Sequence, residues 1–346
     1  MSSDPKTTHL SVRPDWLALH REEALEPELP IVDPHHHLWD HTGNRYFLPD
    51  LLADVATGHD IRATVAVECG AMYRQDAAAE LRPVGETEFL NGAAAMSASG
   101  GSGECRACAG IVGHAELRLG ADVKPILEAH VRAGGGRFRG VRYSPVWHPD
   151  PAARGSLANP PPGLLGDPRF RAGFAALAPL GLSFDAWMYH TQLAELADLA
   201  RAFPGTVVVL DHVGGTIGIG PYAGKREAVL AEWRENLREV ARCPNVFVKL
   251  GGLGMRLFGF DFGSRERPPS SAELAASWRP YIETCIELFG AERCMFESNF
   301  PVDKGSFSYA VLWNAFKRLA ARASQAEKQA LFSGTASRVY RLSGVS

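Results

Sequence analysis

At 346 residues, 46% hydrophobic and 22% charged, the chain has the composition of a globular protein, long enough for one large barrel or two medium domains. A net charge of -3 argues against nucleic acid or an anionic membrane as the main partner, which leaves a small-molecule substrate. An apolar run of about 18 residues, the length of a membrane span, is absent, and Met1 to Arg13 lacks a secretory apolar core, so the expected location is cytoplasmic.

In chain order, residues 1–29 read as an N-terminal extension packed outside the domain that follows. Short β-branched or apolar runs then recur at 31–33, 63–68, 107–113, 138–143, 182–187, 206–211, 245–250 and 294–298. Helical patterns separate them at 81–97, 123–132, 168–179, 193–203, 226–241, 272–288 and 309–321. Leu193, Leu196, Leu199, Ala200 and Phe203 keep the 3.6-residue apolar period. Eight strands, nearly all followed by helices, require parallel pairing through right-handed crossovers. The count and length fit one (β/α)8 barrel over residues 30–346, of the metal-dependent-hydrolase type, better than a doubly wound sheet. No Gly-x-Gly-x-x-Gly follows a strand, so a dinucleotide site is not expected. The six cysteines read as reduced buried thiols, and Cys105-x-x-Cys108 lacks the further ligands of a structural zinc site.

Segments after strands are long (144–165 and 251–271), while those before strands are short (203–205 and 242–244). In a barrel the loops after strands build the catalytic face. Polar residues gather at those strand ends. His35 and His37 close the first strand, on one face, with His36 on the other. Glu68, His114, Arg142, Asp185 with His190, Asp211 with His212, Lys249, and Glu297 with Asn299 follow on the later strands. Paired neutral imidazoles suit a divalent cation, or can position water without one. Arg142 is a candidate carboxylate clamp, with Trp147, Tyr189, Trp187, Phe258 and Phe260 as aromatic walls for a cyclic organic acid.

Three of these stretches resemble a known family. Asp33-Pro34-His35-His36-His37-Leu38-Trp39 resembles the first-strand motif of the amidohydrolase superfamily, in the branch of sugar lactonases and 2-pyrone-4,6-dicarboxylate lactonase. Leu210-Asp211-His212-Val213-Gly214-Gly215 is similar to that branch's sixth-strand motif, and Glu297-Ser298-Asn299-Phe300-Pro301 to its eighth. The resemblance spans residues 30 to 342 and implies a TIM-barrel hydrolase that opens a lactone or related cyclic ester. His35, His37 and His212 would line its reaction centre. It also implies that one zinc or manganese ion could be held by His35, His37, His190 and His212, although the lactonase branch is understood to work without metal. A bridged two-metal site is not expected, because the fourth strand ends in Arg142 and carries no lysine. One departure matters. The family's eighth strand ends in an Asp that takes the proton from water, and here that position is Asn299, an amide that is no base. Glu297 or a histidine is then the expected base, with Asp303 the next carboxylate, and Asn299 holds the water. The alternatives are a metal-dependent non-oxidative decarboxylase on the same barrel, or a binding barrel without catalysis. The sequence leaves homo-oligomerisation open.

Overall fold

The computed structural model describes residues 10–41, 44–101, 103–155 and 160–344. Parts of the expected N-terminal extension (1–9) and of the long loop 144–165 (156–159) lie outside these residues. Eight strands form one all-parallel sheet in sequential order: β1 (Ile31–His36), β2 (Ile61–Val67), β3 (Arg106–Gly113), β4 (Phe138–Tyr143), β5 (Ser183–Ala186), β6 (Val208–Leu210), β7 (Val246–Leu250) and β8 (Cys294–Phe296). Closure between first and last strands comes just past β8. There the Asn299 amide bonds His35 O at 2.9 Å, the His37 amide bonds Phe300 O at 2.7 Å, and the Asp33 carboxylate takes the Ser298 amide at 3.0 Å. Each strand feeds a helix: α1 (Leu48–Val55), α2 (Val84–Ala98), α3 (Lys124–Ala133), α4 (Pro168–Phe174), α5 (Leu193–Ala202), α6 (Arg226–Ala241), α7 (Ser271–Phe289) and α8 (Tyr309–Leu319). This is the (β/α)8 barrel that the sequence pattern requires.

The pattern did not reveal α1, nor the antiparallel hairpin of Trp39–His41 with Asn44–Tyr46 that leads into it. Its start is fixed by Asp50, whose carboxylate caps the Phe47 amide at 2.8 Å. Residues 10–29 run along the outside. Glu22 accepts the Ser271 amide at the head of α7 at 2.8 Å, and Lys317 of α8 donates to the carbonyls of Leu25 and Glu26.

Strand alternation sorts the barrel interior into layers. Val32, Val65, Val112, Val209 and Met295 fill the lower layer against Ala336, Val339, Tyr340 and Leu342 of the C-terminal turns, which plug the barrel from below. Two residues further along the strands the interior turns polar: Asp185, Asp211, Lys249 and Glu297 are all fully buried there. The histidines sit above them, at the carboxyl ends of the strands.

Candidate active site

His35 is the hub. Its Nδ1 lies 2.9 Å from Glu297 Oε2, 3.2 Å from Lys249 Nζ and 3.6 Å from Asp211 Oδ1, and its Nε2 lies 3.3 Å from His37 Nε2. Burial, and then the charge of Lys249, hold its pKa well below the ordinary histidine value, so the ring is neutral at pH 7. The expected alternation is observed, for His36 points away and meets the Thr64 hydroxyl at 2.8 Å. His212 donates Nδ1–H to Glu297 Oε1 at 2.7 Å, and its own amide reaches the same oxygen at 3.2 Å. Its other nitrogen is therefore bare, on a ring that lines the cavity.

The backbone bends sharply to achieve this. His212, Val213 and Asn299 all lie in the left-handed region, with φ of 53°, 49° and 53°. Such strain in non-glycine residues persists only where the surroundings enforce it, and it concentrates at functional sites. The end of β7 can approach only because two glycines follow it. A Cβ on Gly252 would stand 2.4 Å from His212 Nδ1, and one on Gly251 would stand 2.5 Å from Glu297 Cγ.

Below the imidazoles, Lys249 Nζ bonds Asp185 Oδ2 at 2.8 Å and Asp211 Oδ1 at 3.0 Å, while Tyr340 donates to Asp185 at 2.6 Å. Burial works against the Glu297 carboxylate, but His212 and His35 outweigh it and pull its pKa down to about 2. Glu297 is thus a fixed anion behind two imidazoles, wholly buried, and it does not line the cavity. This corrects the expectation that it is the base. A carboxylate with that pKa has little proton affinity at pH 7, and its oxygens face the two rings rather than the cavity.

The cavity above encloses about 280 Å3, bounded by His37, His212, Asn299, Trp39, Trp187, Glu68 and Arg142, with Met255, Arg256 and Leu257 from the β7–α7 loop. Arg142 is there as expected, but it is not a free clamp. Its Nε bonds Glu68 Oε1 at 2.8 Å, and Nη2 reaches the Glu68 carbonyl. Asn299 Nδ2 donates to Asp303 Oδ1 at 2.9 Å, and Asp303 Oδ2 accepts the Gly254 amide at 2.9 Å. Burial raises the Asp303 pKa to about 7, against these bonds.

Five expected contributors lie elsewhere. His190 does not join the other histidines: its Nδ1 accepts the Ile217 amide at 3.3 Å, its ring packs on Tyr222, and burial lowers its pKa to about 4. Trp147 is absent from the cavity wall, and Tyr189 acts one step back, its hydroxyl taking the amide of the wall residue Gly155 at 2.9 Å. Phe258 is buried against Tyr281, and Phe260 stacks under Arg226. Trp39, quoted within the first motif but given no role, does line the site and stacks on His37.

The donor set fits one divalent ion. His37 donates Nδ1–H to the Val67 carbonyl at 2.8 Å, which leaves Nε2 bare. His35 Nδ1 accepts from the Lys249 ammonium at 3.2 Å, so the ring's proton sits on Nε2. That Nε2–H faces the bare Nε2 of His37 at 3.3 Å, and a divalent ion would take the place of this proton. Two imidazoles on a tetrahedral zinc, with bonds of about 2.0–2.1 Å, stand about 3.3–3.4 Å apart. His35, Asp211 and His212 also bring ligand atoms within 4.8 Å of one another. The site offers no place for His190 among the ligands.

Parallel strands whose carboxyl ends converge imidazoles on one cavity define a (β/α)8 barrel of the enzyme type. The chain belongs to the amidohydrolase family, whose model matches residues 32–342. The protein y4mH of Sinorhizobium fredii is 34% identical over 91% of this chain and 99% of its own length. The L-fucono-1,5-lactonase of Burkholderia multivorans is 27% identical over 90% of this chain and 96% of its own. A crystal structure of an amidohydrolase from Burkholderia multivorans with bound zinc superposes with a TM-score of 0.68 at 26% identity, covering 90% of this chain and 99% of that one. These likenesses support the lactonase-like branch that the three strand-end motifs indicated. Among the described residues no helix is long and apolar enough to cross a membrane.

Proposed function

We propose that this protein hydrolyses a neutral, hydroxyl-rich lactone, with His212 as the general base. The observation that carries this reading is the Glu297–His212 pair. A buried carboxylate fixes one imidazole nitrogen as a donor, so the other is a bare acceptor on a cavity wall, and the anion stabilises the imidazolium that forms. In the reaction, His212 Nε2 takes a proton from water, and the oxygen attacks the lactone carbonyl. The charge on the tetrahedral oxygen faces Arg142 and the Asn299 amide. Collapse breaks the ring C–O bond, and the alkoxide recovers the proton from His212, giving a hydroxy acid. A divalent ion held by His35 and His37 would add Lewis-acid polarisation of the carbonyl. Asn299 needs no basicity in this scheme, which accounts for the departure from the family Asp.

The substrate class follows from Glu68. Its carboxylate already balances Arg142, so the mouth presents a neutral pair of acceptor and donor groups between Trp39 and Trp187. Such a surface matches hydroxyls on an apolar ring face better than a dicarboxylate. That the relative from Burkholderia multivorans is an L-fucono-1,5-lactonase supports the same class. The test is turnover of aldono-1,5- and 1,4-lactones against carboxylated pyrones and aromatic acids, with wild type and His212→Asn. Ring opening of neutral lactones, lost by orders of magnitude in His212→Asn, is expected. Preference for a carboxylated pyrone, or release of CO2 from an aromatic acid, would overturn the reading.

A further inference from the structure

At the opposite end of the barrel, Arg106 opens β3, and Arg137 and Arg139 flank the start of β4. Their guanidiniums line a cavity of about 230 Å3, closed on one side by Leu342 and Ser343. This volume is below the roughly 300–1,000 Å3 of pockets for drug-sized ligands, so the occupant is small.

The bonds of these arginines go to neutral acceptors. Arg106 Nη1 bonds Ser343 O at 2.9 Å, Arg137 Nη1 bonds Asn91 Oδ1 at 2.7 Å, and Arg139 Nη1 bonds Gly136 O at 2.6 Å. Among the described residues none of the three has an ion-pair partner, unlike Arg62, which faces Asp60, or Arg338, which faces Glu292. Arg139 is half-buried, and its Nε is enclosed with no hydrogen-bond partner. Burial, followed by the charges of Arg341 and Arg137, lowers its pKa, so the cations repel one another here. A guanidinium offers five N–H donors, so most of this group's donors are uncommitted. Like charges gathered around one hollow are costly without a counter-charge. A planar carboxylate satisfies one fork well, but a tetrahedral oxyanion directs oxygens toward several forks at once.

We infer that the lower mouth, formed by Arg106, Arg137 and Arg139, is a binding site for a small multivalent phosphoryl anion, separate from the hydrolytic cavity at the upper mouth.

The experiment is calorimetric titration of the full chain with sodium pyrophosphate in low-salt buffer, and citrate serves as a carboxylate comparator. Saturable one-to-one binding of pyrophosphate is expected, tighter than citrate and weakening steeply as salt rises. Arg106→Gln and Arg137→Gln should each weaken it about tenfold or more, the loss expected for one charge-assisted hydrogen bond. Arg106 is exposed, so its variant keeps the test valid if the half-buried Arg139→Gln does not fold. Arg142→Gln, altered only at the upper mouth, should bind pyrophosphate like the wild type. Absence of saturable binding, unchanged affinity in Arg106→Gln, or loss of binding in Arg142→Gln would each overturn the inference.

Discussion

Replacing Glu297 by Gln changes one oxygen to an amide nitrogen and removes one charge, in a site where each carboxylate oxygen faces an imidazole. The Glu297 pKa falls from 4.5 to about 2 on folding, which at 1.36 kcal/mol per unit corresponds to about 3 kcal/mol. His35 is neutral at pH 7 and adds no charge, so about 2–3 kcal/mol is the expected loss of stability at that pH. The sign follows from linkage. A carboxyl whose pKa is depressed by folding contributes above its unfolded value, and that contribution disappears as pH falls through 4.5 toward 2. Urea unfolding of wild type and Glu297→Gln should therefore show the full gap at pH 7 and a closing gap below pH 4. Turnover should fall further than folding does. The amide NH2 opposite His212 would clash with its Nδ1–H and force the ring into the wrong tautomer, so kcat on a lactone should drop by roughly 100-fold or more with a modest change in KM. A variant with normal kcat would refute the dyad, and a stability gap that is independent of pH would refute the charge assignment.

Lys249→Met leaves Asp185 and Asp211 buried without their ammonium, which should cost about 3–5 kcal/mol in denaturant unfolding. The loss should be greatest at pH 8 and smaller at pH 5, where the freed carboxylates take up protons. Asn299→Asp would set a second carboxylate against Asp303, already raised to about 7 by burial. Its melting temperature should fall more at pH 9 than at pH 6, with no gain in hydrolysis. An Asp at this position, the residue the family motif carries, would therefore not act as a base here. Glu68→Gln releases Arg142 from its partner, so the ratio of kcat/KM for a carboxylated over a neutral lactone should rise at least severalfold.

The barrel was legible because each level of the sequence agrees with the next: apolar runs, helical periods, short entry turns and long exit loops. The limits of β4 and α6 match the pattern residue for residue. His35, His37 and Arg142 were legible because they lie on or just past a strand, where alternation fixes the direction of a side chain. His190 was not, since β5 ends at Ala186 and the four-residue path beyond it turns the ring toward Ile217. Glu297 was correctly placed on the inner face, but alternation does not give height along the barrel axis. Its side chain lies one layer below the cavity, where it can orient imidazoles but cannot reach water. The plug by Val339 and Tyr340 depends on contacts with residues more than a hundred positions away, and no local pattern encodes that.

That plug makes the polar interior a vessel with a single port. Val32, Val65, Val209 and Met295 close against the C-terminal turns below, and Asp185, Asp211, Lys249 and Glu297 have no exposed surface, so among the described residues the way to the axis for ions, protons and water is through the upper cavity. Traffic is then ordered. Whatever occupies the hollow between Trp39 and Trp187 blocks the route to His35 behind it, and a deeper occupant must enter first and leave last. A competitive ligand seated at the mouth would slow a chelator's access to the histidines without touching them, and protection of the deep site becomes a property of how full the shallow one is.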